Sequence, residues 1–123
     1  MIHLDTSMLI DGLTGPQNAR AALRGALERG HILLVSTPAL YEWLRGARSA
    51  KELELQETIL PLASVVSFGP TEAAIAADLY RKVRRPRGRE MDLAIAACAL
   101  SHDAALWTKD RADFSDVPGL DLI

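Results

Sequence analysis

The stretch Glu90-Met-Asp92-Leu-Ala-Ile-Ala-Ala-Cys98-Ala-Leu-Ser-His102-Asp-Ala-Ala-Leu-Trp107-Thr-Lys-Asp110 decides the fold. Asp92 opens a small-residue helix built on Ala94, Ala96, Ala97 and Ala99, with Leu93, Ile95 and Leu100 among its apolar positions. Ser101-His102-Asp103 makes a turn, and Ala104 to Trp107 reads as a short strand that stops at Thr108 and Asp110. A helix crossing back over a parallel sheet runs against the strands. Its N-terminus therefore lies at the edge where the strands end, which is where open α/β sheets bind ligands. Asp92 and Asp110 are thus expected to converge in space.

The remaining segments fit the same scheme. Met1 to Leu4 reads as a buried strand followed by the helix-start residues Asp5-Thr6-Ser7. Ser7 to Leu13 is predicted as a short helix before Gly15-Pro16, and Gln17 to Arg29 as a longer one stopped by Gly30. His31 to Val35 is the second strand. Thr37 is predicted to cap the next helix, with Pro38 at its first position. A helix over about Lys51 to Leu60, a strand from Ser64 to Phe68, a helix from Thr71 to Val83 and a last apolar run, Leu120 to Ile123, complete the chain. Strands alternating with longer helices argue for a parallel sheet covered on both faces. With right-handed crossovers, this predicts a three-layer α/β/α sandwich whose central, mainly parallel sheet has four to five strands.

The bulk properties set limits. The 123 residues suit a single domain spanning 1–123 with a real core. Apolar residues make up 49% and charged residues 24%, an ordinary globular balance. No apolar run reaches the roughly 18 residues that span a membrane. Asp5 and Asp11 interrupt any signal-peptide pattern, so the expected compartment is the cytoplasm. Cys98, the one cysteine, is expected to be a small buried residue. The net charge of −2 does not advertise a nucleic-acid binder, yet residues 81–89 hold six cations and no acid. Such a local patch attracts phosphates on a slightly negative molecule. Arg84, Arg85, Arg87 and Arg89 are its candidate phosphate contacts, and the alternative is a solvated loop.

On the predicted sandwich, Asp5 ends the first strand and Glu42 lies in the second turn of the helix after the second strand. With Asp92 and Asp110, four carboxylates from four segments aim at one rim. Crowded carboxylates repel, so either some are protonated or a cation sits among them. Oxygen ligands without paired histidine or cysteine favour Mg²⁺ or Mn²⁺. Such an ion suits phosphate chemistry, because it activates water and stabilises charge on phosphodiester oxygens. Thr108 and Thr6 are hydroxyls placed to assist by hydrogen bonding. His3, His31 and His102 are scattered and are read as surface or structural.

These motifs, Leu-Asp5-Thr-Ser, Tyr-Glu42-Trp-Leu-Arg-Gly, Asp92-Leu-Ala-Ile-Ala-Ala and Thr108-Lys-Asp110-Arg-Ala-Asp113-Phe114, resemble in order and spacing the PIN-domain family. Within it they resemble the small VapC-type toxins of toxin–antitoxin pairs. The resemblance maps the family's acidic positions onto Asp5, Glu42, Asp92 and Asp110 and its supporting hydroxyl onto Thr108; Asp113 is read as structural or as an outer helper. It implies a Mg²⁺- or Mn²⁺-dependent endoribonuclease acting on single-stranded or loop RNA. A homodimer is implied as well, neutralised by a cognate antitoxin lying over the acidic groove. A phosphoacceptor receiver domain is disfavoured, because Val65-Val66-Ser67-Phe68-Gly69 ends without an acid. A non-catalytic PIN-like scaffold that binds RNA or protein is the alternative.

Overall fold

A computed structural model describes residues 1–15 and 19–123. The Gln17 end of the predicted second helix lies outside these residues. In chain order the elements are β1 (Ile2–Leu4), α1 (Thr6–Leu13), α2 (Ala19–Glu28), β2 (Leu33–Ser36), α3 (Thr37–Leu44), α4 (Ala50–Ile59), β3 (Val65–Val66), α5 (Pro70–Lys82), α6 (Glu90–Ser101) and β4 (Ala105–Trp107). Single 3-10 turns stand at Leu62–Ser64 and Arg111–Asp113. The sheet is wholly parallel in the order β3-β2-β1-β4 and is flanked by helices, which makes the three-layer α/β/α sandwich. Ile2 is in register with Leu33 on one side and Ala105 on the other. The last apolar run adds one parallel bridge, Leu122 to Leu106, beside β4.

Chain order reverses at β1. The chain moves outward through β2 and β3, then crosses the sheet to place β4 on the other side of β1. The ends of β1 and β4 thus form the switch-point crevice of an open α/β sheet.

The helix boundaries have local causes. α2 ends at Gly30, whose φ of 85° lets His31 donate to the Ala26 carbonyl and Gly30 to that of Leu27, the Schellman arrangement. α6 ends the same way, with Asp103 at φ 50° while Ala104 donates to Ala99 and Asp103 to Leu100. Ser49 and Glu52 form a reciprocal capping box on α4. Two expectations need correction. Ser36, not Thr37, caps α3: its hydroxyl accepts from the Ala39 amide at 3.3 Å, and Pro38 sits one step further into the first turn. Thr37 instead accepts from the Phe68 amide at 3.0 Å. That bond draws Phe68 out of the ladder, and Gly69 turns back onto the Ser67 carbonyl, so β3 is only two residues long rather than Ser64 to Phe68.

α6 is the central helix of the packing. Leu93, Ile95, Ala96, Ala97, Cys98 and Ala99 are all buried, so apolar contact surrounds the helix rather than striping it. Its alanines allow close approach to α5, α3, β2 and β4. Leu4, Val35, Trp43, Leu106 and Phe114 fill the space around it. His3 is fully buried in β1 and stacks on His102, so it is structural, and burial together with His102 lowers its pKa to about 4. Among the described residues no helix is long and apolar enough to cross a membrane.

Candidate active site

An open cleft of about 880 Å³ lies at the switch point, and Asp5, Glu42, Asp92 and Asp110 all line it. The four acids that the sequence places at one rim therefore do share one cavity. Thr6, Ser7, Asp11, Arg45 and Lys109 complete the polar lining.

Asp5 follows β1 and is buried. It stands at the N-cap of α1 without capping it. Its Oδ2 accepts instead from Ser7 Oγ at 2.9 Å and from Thr108 Oγ1 at 2.8 Å. Thr108 is buried at the end of β4, and its hydroxyl also accepts from the Asp110 amide at 2.9 Å. Ser7 Oγ accepts from the Lys109 amide at 3.0 Å. One carboxylate oxygen of Asp5 is thus fixed by two hydroxyls that also shape the turn carrying Asp110. Glu42 is oriented separately. Thr6 Oγ1 donates to its Oε1 at 2.6 Å, and Arg45 approaches its Oε2 at 3.5 Å.

Asp92 sits half-buried in the first turn of α6. Its carboxyl is pushed up to about 6, first by burial, then by the charges of Asp5, Asp113 and Glu42, with Arg89 opposing. Asp113 is therefore close enough to act on Asp92 through space, although Asp110 is the residue that lines the cleft.

Three lining residues escape a reading of the sequence alone. Ser7 reads there only as a helix-start residue. Asp11 lies four positions after it, on the same face of α1, and accepts from Lys109 Nζ at 2.9 Å and from the Ala19 amide at 3.2 Å. That i, i+4 spacing is the signal available for Asp11; Lys109 has none beyond its place beside Thr108.

The basic segment divides. Arg81 and Lys82 belong to the last turn of α5 and pair with Asp78. Arg84, Arg85 and Arg87 are exposed and make no ion pair among the described residues. Arg89 is engaged with Asp116 through two bonds, of 2.6 and 3.0 Å.

No three acidic, histidine or cysteine side chains among the described residues are disposed to enclose a metal ion by themselves. The donor set suits Mg²⁺ or Mn²⁺ in another manner. Mg²⁺ commonly keeps several waters and takes one or two carboxylates, with substrate phosphates completing its shell. Asp5 and Asp92, whose charges oppose each other across the cleft, fit that role.

The PIN domain profile matches residues 2–120, and the chain belongs to that family. Among solved structures it is similar to VapBC-1 from nontypeable Haemophilus influenzae, with a TM-score of 0.75 and 22% identity over 100% of this chain and 97% of that one. It is likewise similar to FitAcB from Neisseria gonorrhoeae (TM-score 0.73, 24% identity, covering 100% and 96%). A toxin–antitoxin complex from Klebsiella pneumoniae aligns at TM-score 0.70 and 25% identity, covering 100% and 96%. No curated protein sequence matches the chain.

Proposed function

We propose that the chain is a VapC-type toxin, a Mg²⁺- or Mn²⁺-dependent endoribonuclease of the cytoplasm that is held in check by a cognate antitoxin and acts as a homodimer. The observation that carries the reading is the cleft itself: four carboxylates from four segments, with Asp92 pushed up to about 6 by burial first and then by the charges of its neighbours. Such crowding is costly unless a cation joins it. Membership of the PIN domain family and likeness to toxin–antitoxin complexes support the substrate and partner assignments.

In this reading Asp5 and Asp92 hold the ion, with Asp110 and Glu42 on the cleft wall. The bound ion supplies an activated water and charge stabilisation at the phosphodiester. The chain's own groups do the rest. Thr108 and Ser7 hold Asp5 in one rotamer through a single oxygen, which leaves the other for a ligand. Thr6 and Arg45 hold Glu42, which orients water by accepting a hydrogen bond. RNA carries a negative charge at each nucleotide, and a purely acidic cleft would repel it; Arg45 and Lys109 on the cleft wall offset that repulsion. Hydrolysis adds water across one P–O bond and releases two RNA fragments.

The test is incubation of the purified chain with single-stranded and hairpin RNA. Cleavage is expected with Mg²⁺ or Mn²⁺, with loss in EDTA and in Asp92→Asn. Undiminished cleavage in chelator, by a preparation free of contaminating nuclease, overturns the metal assignment. RNA binding without cleavage in saturating Mn²⁺ favours the scaffold alternative.

A further inference from the structure

Arg89 has no free donor on its terminal nitrogens. Nη1 donates to the Arg84 carbonyl at 3.1 Å and to Asp116 Oδ2 at 3.0 Å; Nη2 donates to the Asp113 carbonyl at 3.0 Å and to Asp116 Oδ1 at 2.6 Å. Four N–H groups thus meet four acceptors, with the Asp116 pair in the bidentate geometry that makes such bonds strong. The side chain is only 21% exposed. Releasing it to a phosphate would break all four bonds, so Arg89 does not belong with Arg84, Arg85 and Arg87.

Its position gives it another role. Arg89 is the N-cap residue of α6, three residues before Asp92, whereas Asp113 and Asp116 belong to the turn after β4. Asp113 in that turn lies close enough to raise the Asp92 carboxyl, and the two like charges push the turn away from α6. The Arg89 fork ties it to the start of α6 and to the basic loop at once. We propose that Arg89 and Asp116 form a positioning clamp that holds the turn bearing Asp110 and Asp113 against Asp92, and so sets the spacing at which a divalent ion is bound.

The inference rests on the ribonuclease reading for its consequence, but the clamp itself is testable without it. Amide hydrogen exchange in Arg89→Gln and Asp116→Asn should quicken at least tenfold at Phe114 and Val117, whose amides close the turn, while β1 and β2 amides stay protected. Mn²⁺ affinity, read by electron paramagnetic resonance, should weaken by about 10–100-fold, as for lost outer-shell partners. RNA cleavage should lose kcat with KM and its salt dependence unchanged. The exchanged pair Arg89→Asp with Asp116→Arg should recover part of the metal affinity, and Arg89→Lys, which keeps charge but not the fork, should recover less.

Unchanged exchange at 113–117 overturns the clamp whatever the activity. A raised KM with normal Mn²⁺ affinity would return Arg89 to the RNA contacts. A wild-type chain that neither binds Mn²⁺ nor cuts RNA defeats the proposed function alone, because the exchange result still decides the clamp.

Discussion

Replacing Asp92 by asparagine should make the metal-free protein more stable while abolishing the RNA cleavage proposed above. The carboxyl stands at about 6 in the fold against an ordinary 3.8, so folding disfavours its ionised form. That penalty is absent below pH 3.8, grows as pH rises toward 6 and is complete above it. A displacement of this size corresponds to roughly 3 kcal/mol. Because Asp92 is only half-buried, solvent screening cuts the figure to about half. Asparagine also forgoes the favourable interaction of a carboxylate with the α6 N-terminus, about 0.3–1 kcal/mol. The net gain is about 0.5–1 kcal/mol, or roughly 2–5 °C in Tm for a domain of this size. Thermal unfolding in EDTA at pH 7.5 reads it directly, and repetition at pH 4 supplies the control, since the wild-type carboxyl is then mostly protonated. A variant less stable than wild type at pH 7.5, or a gain equal at both pH values, refutes the argument and makes Asp92 a helix-start residue.

Three other perturbations have defined outcomes. Thr108→Val removes a buried hydroxyl that serves both Asp5 and the Asp110 amide; urea unfolding should record a loss of about 1–3 kcal/mol, opposite in sign to Asp92→Asn. Replacing Arg84, Arg85 and Arg87 together by alanine, in an Asp92→Asn background, should flatten the slope of log affinity for RNA against log salt. The change is about 0.7 for each phosphate no longer neutralised, hence about 2 for three, and an unchanged slope leaves the segment a solvated loop. Asp103→Val places a branched side chain at φ 50° and should destabilise by about 1–2 kcal/mol, whereas Asp103→Gly should not; equal stabilities would show that the turn relaxes.

The parallel sandwich is legible in the sequence because its signals are local and repeated: apolar runs of strand length, helices with small residues, and glycine stops such as Gly30. The convergence of Asp5, Glu42, Asp92 and Asp110 follows from topology alone, since strand ends and helix starts share an edge. What does not show is settled by contacts between distant segments. Ser36 takes the cap from Thr37 because Phe68, thirty-one positions on, occupies the Thr37 hydroxyl. Arg89 looks like one more cation in a run, and nothing before Asp116 is placed distinguishes it from Arg87. His3 reads from sequence as easily on the surface as inside; only the pairing of β1 with both β2 and β4 puts it at the centre of the sheet.

The pairing of β1 with β4 also bears on when the cleft comes into being. The hydroxyl that fixes Asp5 comes from Thr108, one hundred and three positions later. Until β4 has joined, the first strand has an open edge, Asp5 lacks one of its two donors, and the wall bearing Asp110 and Lys109 does not exist. Contacts so far apart in sequence close late, because the loop between them must be ordered first. A nascent chain therefore has no cleft until β4 has left the ribosome, and an enzyme able to cut RNA would be harmless to its own message until Thr108 had emerged.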